Sequence, residues 1–293
     1  MKVSLAIGFA DDPAAAAAEA EAAGFDGVHC GEHLFMRVPI QHSLTALAVA
    51  AGATERVRLI SSVTLLPLCP AAVIAKIATT VDVASGGRLE LGLGLGGEFP
   101  AEFSAVGAKV SERGARADEG LAVLRALFTG ERVDFEGRWA TLEGVRLQPP
   151  PAQPGGPRLW LAGRKGAALR RVARYGDVWL PYMVTPEMFA DGLATVREAA
   201  GRPVTGAVMV FINVDRDGDR ARTEAAAFTS NTYGQPPSVF ERYVVGGTPE
   251  ECVAQIKAYE DAGAEWVLLS VAAPADRRAH VTRLATAEVL PAL

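Results

Sequence analysis

Short runs of β-branched and aliphatic residues alternate along the chain with longer, Ala-rich stretches whose apolar positions recur at helical spacing. The runs predict strands at 3–9 (VSLAIGF), 26–30 (DGVHC), 57–63 (VRLISSV), 88–93 (RLELGL), 158–162 (RLWLA), 177–181 (DVWLP), 206–213 (GAVMVFIN) and 265–271 (EWVLLSV). The intervening stretches predict helices at 13–23, 43–53, 70–84, 112–128, 166–175, 186–199, 248–262 and 276–290. Asp12-Pro13 opens the first helix with a capping side chain and a proline in the first turn, and Gly24 closes it. Thr248-Pro249-Glu250-Glu251 opens the seventh in the same way, and Gly263 ends it. Eight strands, each followed by a helix, indicate an α/β fold: a (β/α)8 TIM barrel forming one domain over 1–293. A doubly wound open sheet shows the same alternation, and the count of eight favours the barrel. Insertions follow strands 4 and 7. The first, 129–157, reads as a hairpin and a Pro-rich connector; the second, 214–247, is long enough to hold helices of its own.

Composition narrows the function classes. The 293 residues are 49% hydrophobic and 22% charged, which suits one large packed core. Acidic residues outnumber basic ones, 34 to 29, so nucleic acid is not an expected partner. Cysteines at 30, 69 and 252 have neither disulfide nor metal-ligand spacing, which suggests a reducing cytoplasm. Asp11 and Asp12 stop the apolar run 3–10, and the uncharged stretch 63–75 carries Pro67 and Pro70. Neither a secretory core nor a membrane span is expected.

In a parallel barrel, chemistry gathers at the C-terminal ends of the strands. Those ends read Phe9-Ala10, Gly31-Glu32-His33, Ser62-Val63-Thr64, Gly94-Leu95-Gly96-Gly97-Glu98, Gly163-Arg164-Lys165-Gly166, Pro181-Tyr182, Asn213 and Ser270-Val271. His33 can exchange a proton near neutral pH, and Glu32 beside it could raise its pKa; a histidine bonded to loop backbone fits the same pattern. Gly163–Gly166 is a small turn with two cations ahead of a helix, a setting for a phosphate or for an ordinary solvated loop. Gly92-x-Gly94-x-x-Gly97 formally matches a dinucleotide fingerprint. However, Glu98-Phe99-Pro100 stands where the helix should begin, and no acidic residue ends a strand about twenty positions on. Gly94 and Gly96 instead suggest a strand end that admits a flat ligand, or tight packing inside the barrel. His29 and His33 straddle a strand end without a metal motif, no nucleophile elbow occurs, and no metal is expected. Trp160 and Trp179 read as core, Arg113 and Arg116 as a solvated helix face.

The stretches AEAAGFDGVHCGEH (20–33), SSVTLLPLCPAAVIAKIATTVDVASGGRLELGLGLG (61–96), RLWLAGRKGAALRRVARYGDVWL (158–180) and GTPEECVAQIKAYEDAGAEWVLLS (247–270) together resemble the luciferase-like monooxygenases, and among them the coenzyme F420-dependent oxidoreductases. The resemblance implies a TIM barrel. It implies that Glu32-His33 is the acid/base or cofactor-contacting pair, and that Ser62-Val63, followed by Thr64, forms a non-proline cis bulge behind the middle of a flavin-like ring. It also places the family's glycine-rich segment on Gly94–Glu98, and a phosphate loop on Gly163, Arg164, Lys165 and Gly166. Members that oxidise sugar phosphates carry an aromatic residue shortly after the histidine, where this chain has Leu34-Phe35-Met36-Arg37, and their acidic residue comes one place before Glu98. The expected reaction is hydride transfer between C5 of coenzyme F420 and a small organic substrate, with His33 moving the proton. Phe9, Phe35, Met36, Glu98 and Tyr182 are expected on the substrate side. The alternative is an FMN-dependent monooxygenase using reduced flavin and O2; a barrel that only carries its ligand is a third reading. The cysteine usage and the expected lack of a secretory or membrane segment give a cytoplasmic protein, and the resemblance adds the ability to form a homodimer.

Overall fold

A computed structural model describes residues 1–8 and 11–293. The barrel strands are β1 (Lys2–Ala6), β2 (Gly27–Cys30), β3 (Arg58–Ser61), β4 (Leu89–Gly94), β5 (Arg158–Ala162), β6 (Val178–Leu180), β7 (Thr205–Val214) and β8 (Trp266–Val271). Each pairs in parallel with the next, and β8 also pairs with β1, Trp266 lying opposite both Ala207 and Lys2. The ring is therefore closed. An open doubly wound sheet, whose edge strands would stay unpaired, is excluded.

The helices are α1 (Pro13–Ala22), α2 (Ser43–Ala53), α3 (Ala71–Ala84), α4 (Pro100–Ala105), α5 (Arg113–Leu127), α6 (Gly166–Tyr175), α7 (Pro186–Ala200), α8 (Gly218–Tyr233), α9 (Pro249–Asp261) and α10 (Arg278–Leu284). Asp12 caps α1 by accepting the Ala14 N–H, and Thr248 and Glu251 form a reciprocal capping box on α9. The first insertion contains the expected antiparallel hairpin, Val133–Glu136 with Thr141–Val145. The second contains α8 and a strand, Val244–Gly247, that pairs with the outer half of β7. Three elements differ from the sequence pattern by more than a residue, the first being β1, which stops at Ala6 and not at 9. β3 stops at Ser61, next to the cis Ser62-Val63 peptide, and Thr64–Leu65 then rejoins the sheet against β4. The last helix ends at Leu284 and continues as a π turn, Ala285–Val289, before Pro291, which has no N–H to extend the ladder.

Alternation along the strands builds two layers. Leu59, Leu91, Leu161, Val208 and Leu269 face the helices and join the main core. Ile60, Trp160, Val178, Leu180, Ala207, Trp266 and Leu268 face inward and plug the barrel, with Trp160 and Trp266 edge to face at 5.5 Å. Trp160 satisfies its indole N–H on the buried Glu90 carboxylate at 2.7 Å, and Arg58 takes the other oxygen at 2.6 Å. Large side chains thus close this layer, while Ala6, Gly31, Gly94, Ala162 and Ser270 line the open space towards the strand C-termini. The plugged layer leaves off where the site begins.

Candidate active site

A cavity of about 1160 Å³ spans the C-terminal mouth of the barrel and runs on into a groove between α1 and α10, lined by Ala16, Ala20, Ala279 and Arg283. Its floor carries the cis peptide: Ser62 and Val63 both line the cavity. Three glycines make room for this bulge. A Cβ at Gly92 would overlap the Ser61 carbonyl oxygen, one at Gly94 would overlap a methyl of Val63, and one at Gly31 would lie 3.0 Å from the Ser62 carbonyl oxygen. Gly94 lines the cavity and packs against Val63. Gly96 also lines the cavity and has a left-handed backbone, φ 61°.

His29 supports the bulge from below. Its Nε2 lies 3.3 Å from the Leu269 carbonyl and its Nδ1 2.8 Å from the Ser62 hydroxyl. The carbonyl can only accept, so Nε2 carries the proton and Nδ1 accepts from Ser62. Burial holds the ring neutral, its pKa pushed down to about 4 despite the opposing pull of the Leu269 carbonyl. Ser62 is thereby held at one rotamer beside the cavity.

His33 lines the cavity on the β2 side. Its carboxylate partner is Glu102 on α4, not the adjacent Glu32. Glu102 is fully buried, with its oxygens 3.1 and 3.2 Å from His33 Nδ1, and it accepts the Leu34 N–H at 2.6 Å. A carboxylate accepts only, so Nδ1 donates and Nε2, unpartnered among the described residues, is the ring atom available to a ligand. Phe99 packs edge-on against the imidazole at 5.0 Å. Glu32 is a tether instead. It accepts from the Ser43 hydroxyl at 2.5 Å and the Leu65 N–H at 2.9 Å, joining α2 to the chain after the bulge. Glu32 also lines the cavity, with its carboxylate engaged by Ser43 and Leu65 and not by His33.

Across the mouth, Gly163, Arg164 and Lys165 line the cavity and Gly166 opens α6. Gly163 has φ 115°, and a Cβ there would lie 2.6 Å from Ala168. The first N–H groups of α6 and the Lys165 ammonium, which has no partner among the described residues, form a cradle suited to a phosphate. Arg164 is committed differently: it donates to the Met183 carbonyl at 2.6 Å and its guanidinium lies 5.8 Å from the Tyr182 ring. Arg113, which the sequence pattern assigns to a solvated face, lines the cavity beside Gly97 and adds a second cation. Arg116 does stay outside, paired with Glu112 and stacked on Trp139.

Of the expected substrate-side residues, Met36, Glu98 and Tyr182 line the cavity, and the Tyr182 hydroxyl reaches Glu98 at 3.5 Å. Phe35 does not; it is 54% exposed. Thr64 is buried behind the bulge on Ser43, at 2.8 Å, and is not part of the lining. Phe9 lies outside the described residues. The sequence reading missed Glu102, which sits where Pro100 at the start of a helix was the available signal, and Tyr233 at the end of α8.

The chain belongs to the luciferase-like monooxygenase family, whose profile matches residues 10–242. It is an enzyme of that oxidoreductase group. It is 28% identical to the phthiodiolone/phenolphthiodiolone dimycocerosates ketoreductase of Mycobacterium kansasii, over 84% of this chain and 81% of that protein. The monooxygenase RslO1 from Streptomyces bottropensis superposes with a TM-score of 0.84 at 26% identity, covering 99% of each chain. An F420-dependent secondary alcohol dehydrogenase, solved with an F420-acetone adduct, has the same fold, with a TM-score of 0.84 at 20% identity over 99% of this chain and 98% of that one. None of the described helices is long and apolar enough to cross a membrane.

Proposed function

We propose that this enzyme is a cytoplasmic, coenzyme F420-dependent oxidoreductase that moves a hydride between the cofactor and a small organic substrate. One observation carries the reading. The Ser62-Val63 bulge on the cavity floor lies between a phosphate cradle after β5 and a carboxylate-oriented histidine after β2. The residues fit such a group: Gly31, Gly94 and Ala162 keep the floor flat, and a side chain at Gly163 would close the cradle. When bound, the deazaflavin would supply or take up the hydride at C5.

The chain's own residues do the rest. Val63 and Ser62 would back the ring, and Lys165 with the α6 N-terminus would hold the phosphate, with Arg113 adding charge from α5. His33 Nε2 would take a proton from a substrate hydroxyl, or return it to a carbonyl oxygen. Glu102 steadies the imidazolium formed in the first direction. The ketoreductase and alcohol dehydrogenase named among the similar proteins support a carbonyl–hydroxyl interconversion. RslO1, a monooxygenase by name, supports the second reading, in which FMN and O2 serve a monooxygenase reaction.

Fluorescence titration of the purified protein with coenzyme F420, and separately with FMN, separates the two. Micromolar binding of the deazaflavin with weak FMN binding is the expected result. Preference for FMN moves the protein to the oxygenase reading, and binding of neither overturns the cradle.

A further inference from the structure

The cavity wall supplied by β6, β7 and α8 lies across the barrel from His33, since β2 and β6 are four strands apart in a ring of eight. Tyr182, Phe211, Phe228 and Tyr233 all line it. They contact one another as a continuous aromatic surface: Tyr182 to Tyr233 at 6.2 Å, Phe211 to Tyr233 at 6.2 Å, and Phe211 to Phe228 at 6.5 Å between centroids. Tyr233 is fixed from behind by the buried Phe240 at 5.9 Å, and Tyr182 by Glu98 and Arg164. The rings are thus held in place before any ligand arrives, which lowers the ordering cost of binding.

The two tyrosines differ in one respect. The Tyr182 hydroxyl has Glu98, whereas the Tyr233 hydroxyl has no hydrogen-bond partner among the described residues. Tyr233 is half-buried and lines the cavity. Desolvation in the cavity wall, with the Glu98 carboxylate, outweighs the opposing Arg164 and pushes the Tyr233 phenol well above its ordinary pKa, so it stays a donor at neutral pH.

We propose that this wall is the substrate-recognition surface, that the substrate class is planar oxygenated aromatic compounds, and that Tyr233 is the specificity-determining residue, donating its hydroxyl to a substrate oxygen remote from the reacting carbon. The proposal rests on the reading of this cavity as an oxidoreductase site. Flat rings gain offset or edge-on contacts from this wall that an aliphatic chain of equal area does not. The unmet hydroxyl favours an oxygen substituent over a bare hydrocarbon.

Calorimetric titration of the protein with 2-naphthol, naphthalene and 2-decalone tests it without turnover. 2-Naphthol is expected to bind tightest. Tyr233→Phe should weaken it by roughly 5- to 10-fold, the loss of one hydrogen bond, and leave naphthalene unchanged. Tyr233→Leu should weaken both. Equal binding of 2-decalone and 2-naphthol, no binding of any probe, or indifference of 2-naphthol to Tyr233→Phe overturns the proposal. Titration of the same variants with coenzyme F420 reads the cofactor site separately. Unchanged cofactor binding with failed aromatic selectivity rejects the substrate class alone; failed cofactor binding in the unaltered protein rejects the cofactor reading whatever the probes do.

Discussion

Glu102 holds His33 by Nδ1 at 3.1 Å while accepting the N–H groups of Leu34 and Phe35 at 2.6 and 3.3 Å with the same oxygen. One buried carboxylate therefore sets the ring's tautomer and pins the first turn of the loop that carries it. Its role is positioning, exercised through His33.

Two substitutions separate the ring from its support. His33→Ala should lower kcat about 10²-fold or more with the cofactor Kd nearly unchanged, as expected for loss of a proton-transfer group. Glu102→Gln retains an acceptor but lacks the charge that steadies the imidazolium, so kcat should fall about 10-fold with an altered pH profile and little change in KM. Glu102→Ala should also cost stability, about 1–3 kcal/mol, because it strands the Leu34 N–H. Steady-state kinetics and urea unfolding give both numbers; wild-type turnover in His33→Ala would refute the proton-transfer role.

The proposed phosphate cradle is open to a charge test. Lys165→Ala should weaken binding of coenzyme F420 about 10-fold and flatten its salt dependence, since an ammonium at a helix N-terminus acts through charge. Gly163→Ala should weaken it at least as much, because a Cβ there crowds Ala168 and φ 115° disfavours any side chain. Fluorescence titration at two ionic strengths is the measurement. An unchanged Kd in both variants would move the phosphate elsewhere.

Gly92 and Gly94 differ in what a side chain would strike. At Gly92 the obstacle is the Ser61 carbonyl, part of the backbone; at Gly94 it is a Val63 methyl, which can turn. Gly92→Ala should therefore destabilise by about 3 kcal/mol or more, and Gly94→Ala by about 1 kcal/mol. Thermal and urea unfolding rank them. The reverse order would mean that the strand, not the side chain, gives way.

Stability should fall with acidification through His29. The folded-state pKa, about 4, lies below the ordinary 6.5, so the unfolded chain binds the extra proton between those values. The contribution is fully present above pH 6.5 and is lost as the pH falls towards 4, up to about 3 kcal/mol. His29→Gln should remove most of that slope, measured as the urea midpoint between pH 7 and 4.5. Asp215 does not interfere in that window. Burial opposes its ionisation, but the Asp217 N–H and the guanidinium groups of Arg220 and Arg277 outweigh this and hold the carboxyl well below the usual range, so its contribution is lost only in more acid solution.

What the chain determines by itself is local. Strand and helix periods, the Asp12 and Thr248 caps, and the Gly163–Gly166 turn before a helix are written in residues a few positions apart, so eight βα units and the ends of their strands can be read directly. His33 is legible for the same reason, being the titratable group at the end of β2. Its partner is not. Glu102 lies 69 residues away, and only closure of the ring, with β2 beside β3 and β3 beside β4, brings the start of α4 over the β2 loop. Glu32 lines the same cavity, but its carboxylate is held by Ser43 and the Leu65 N–H. Arg113 turns into the cavity and Phe35 turns out. Tyr233 reaches the mouth from an insertion whose periodicity says nothing of where it docks. Periodicity specifies which face of an element is buried, whereas the neighbour it is buried against depends on contacts between distant parts of the chain, and these exist only once the barrel is closed.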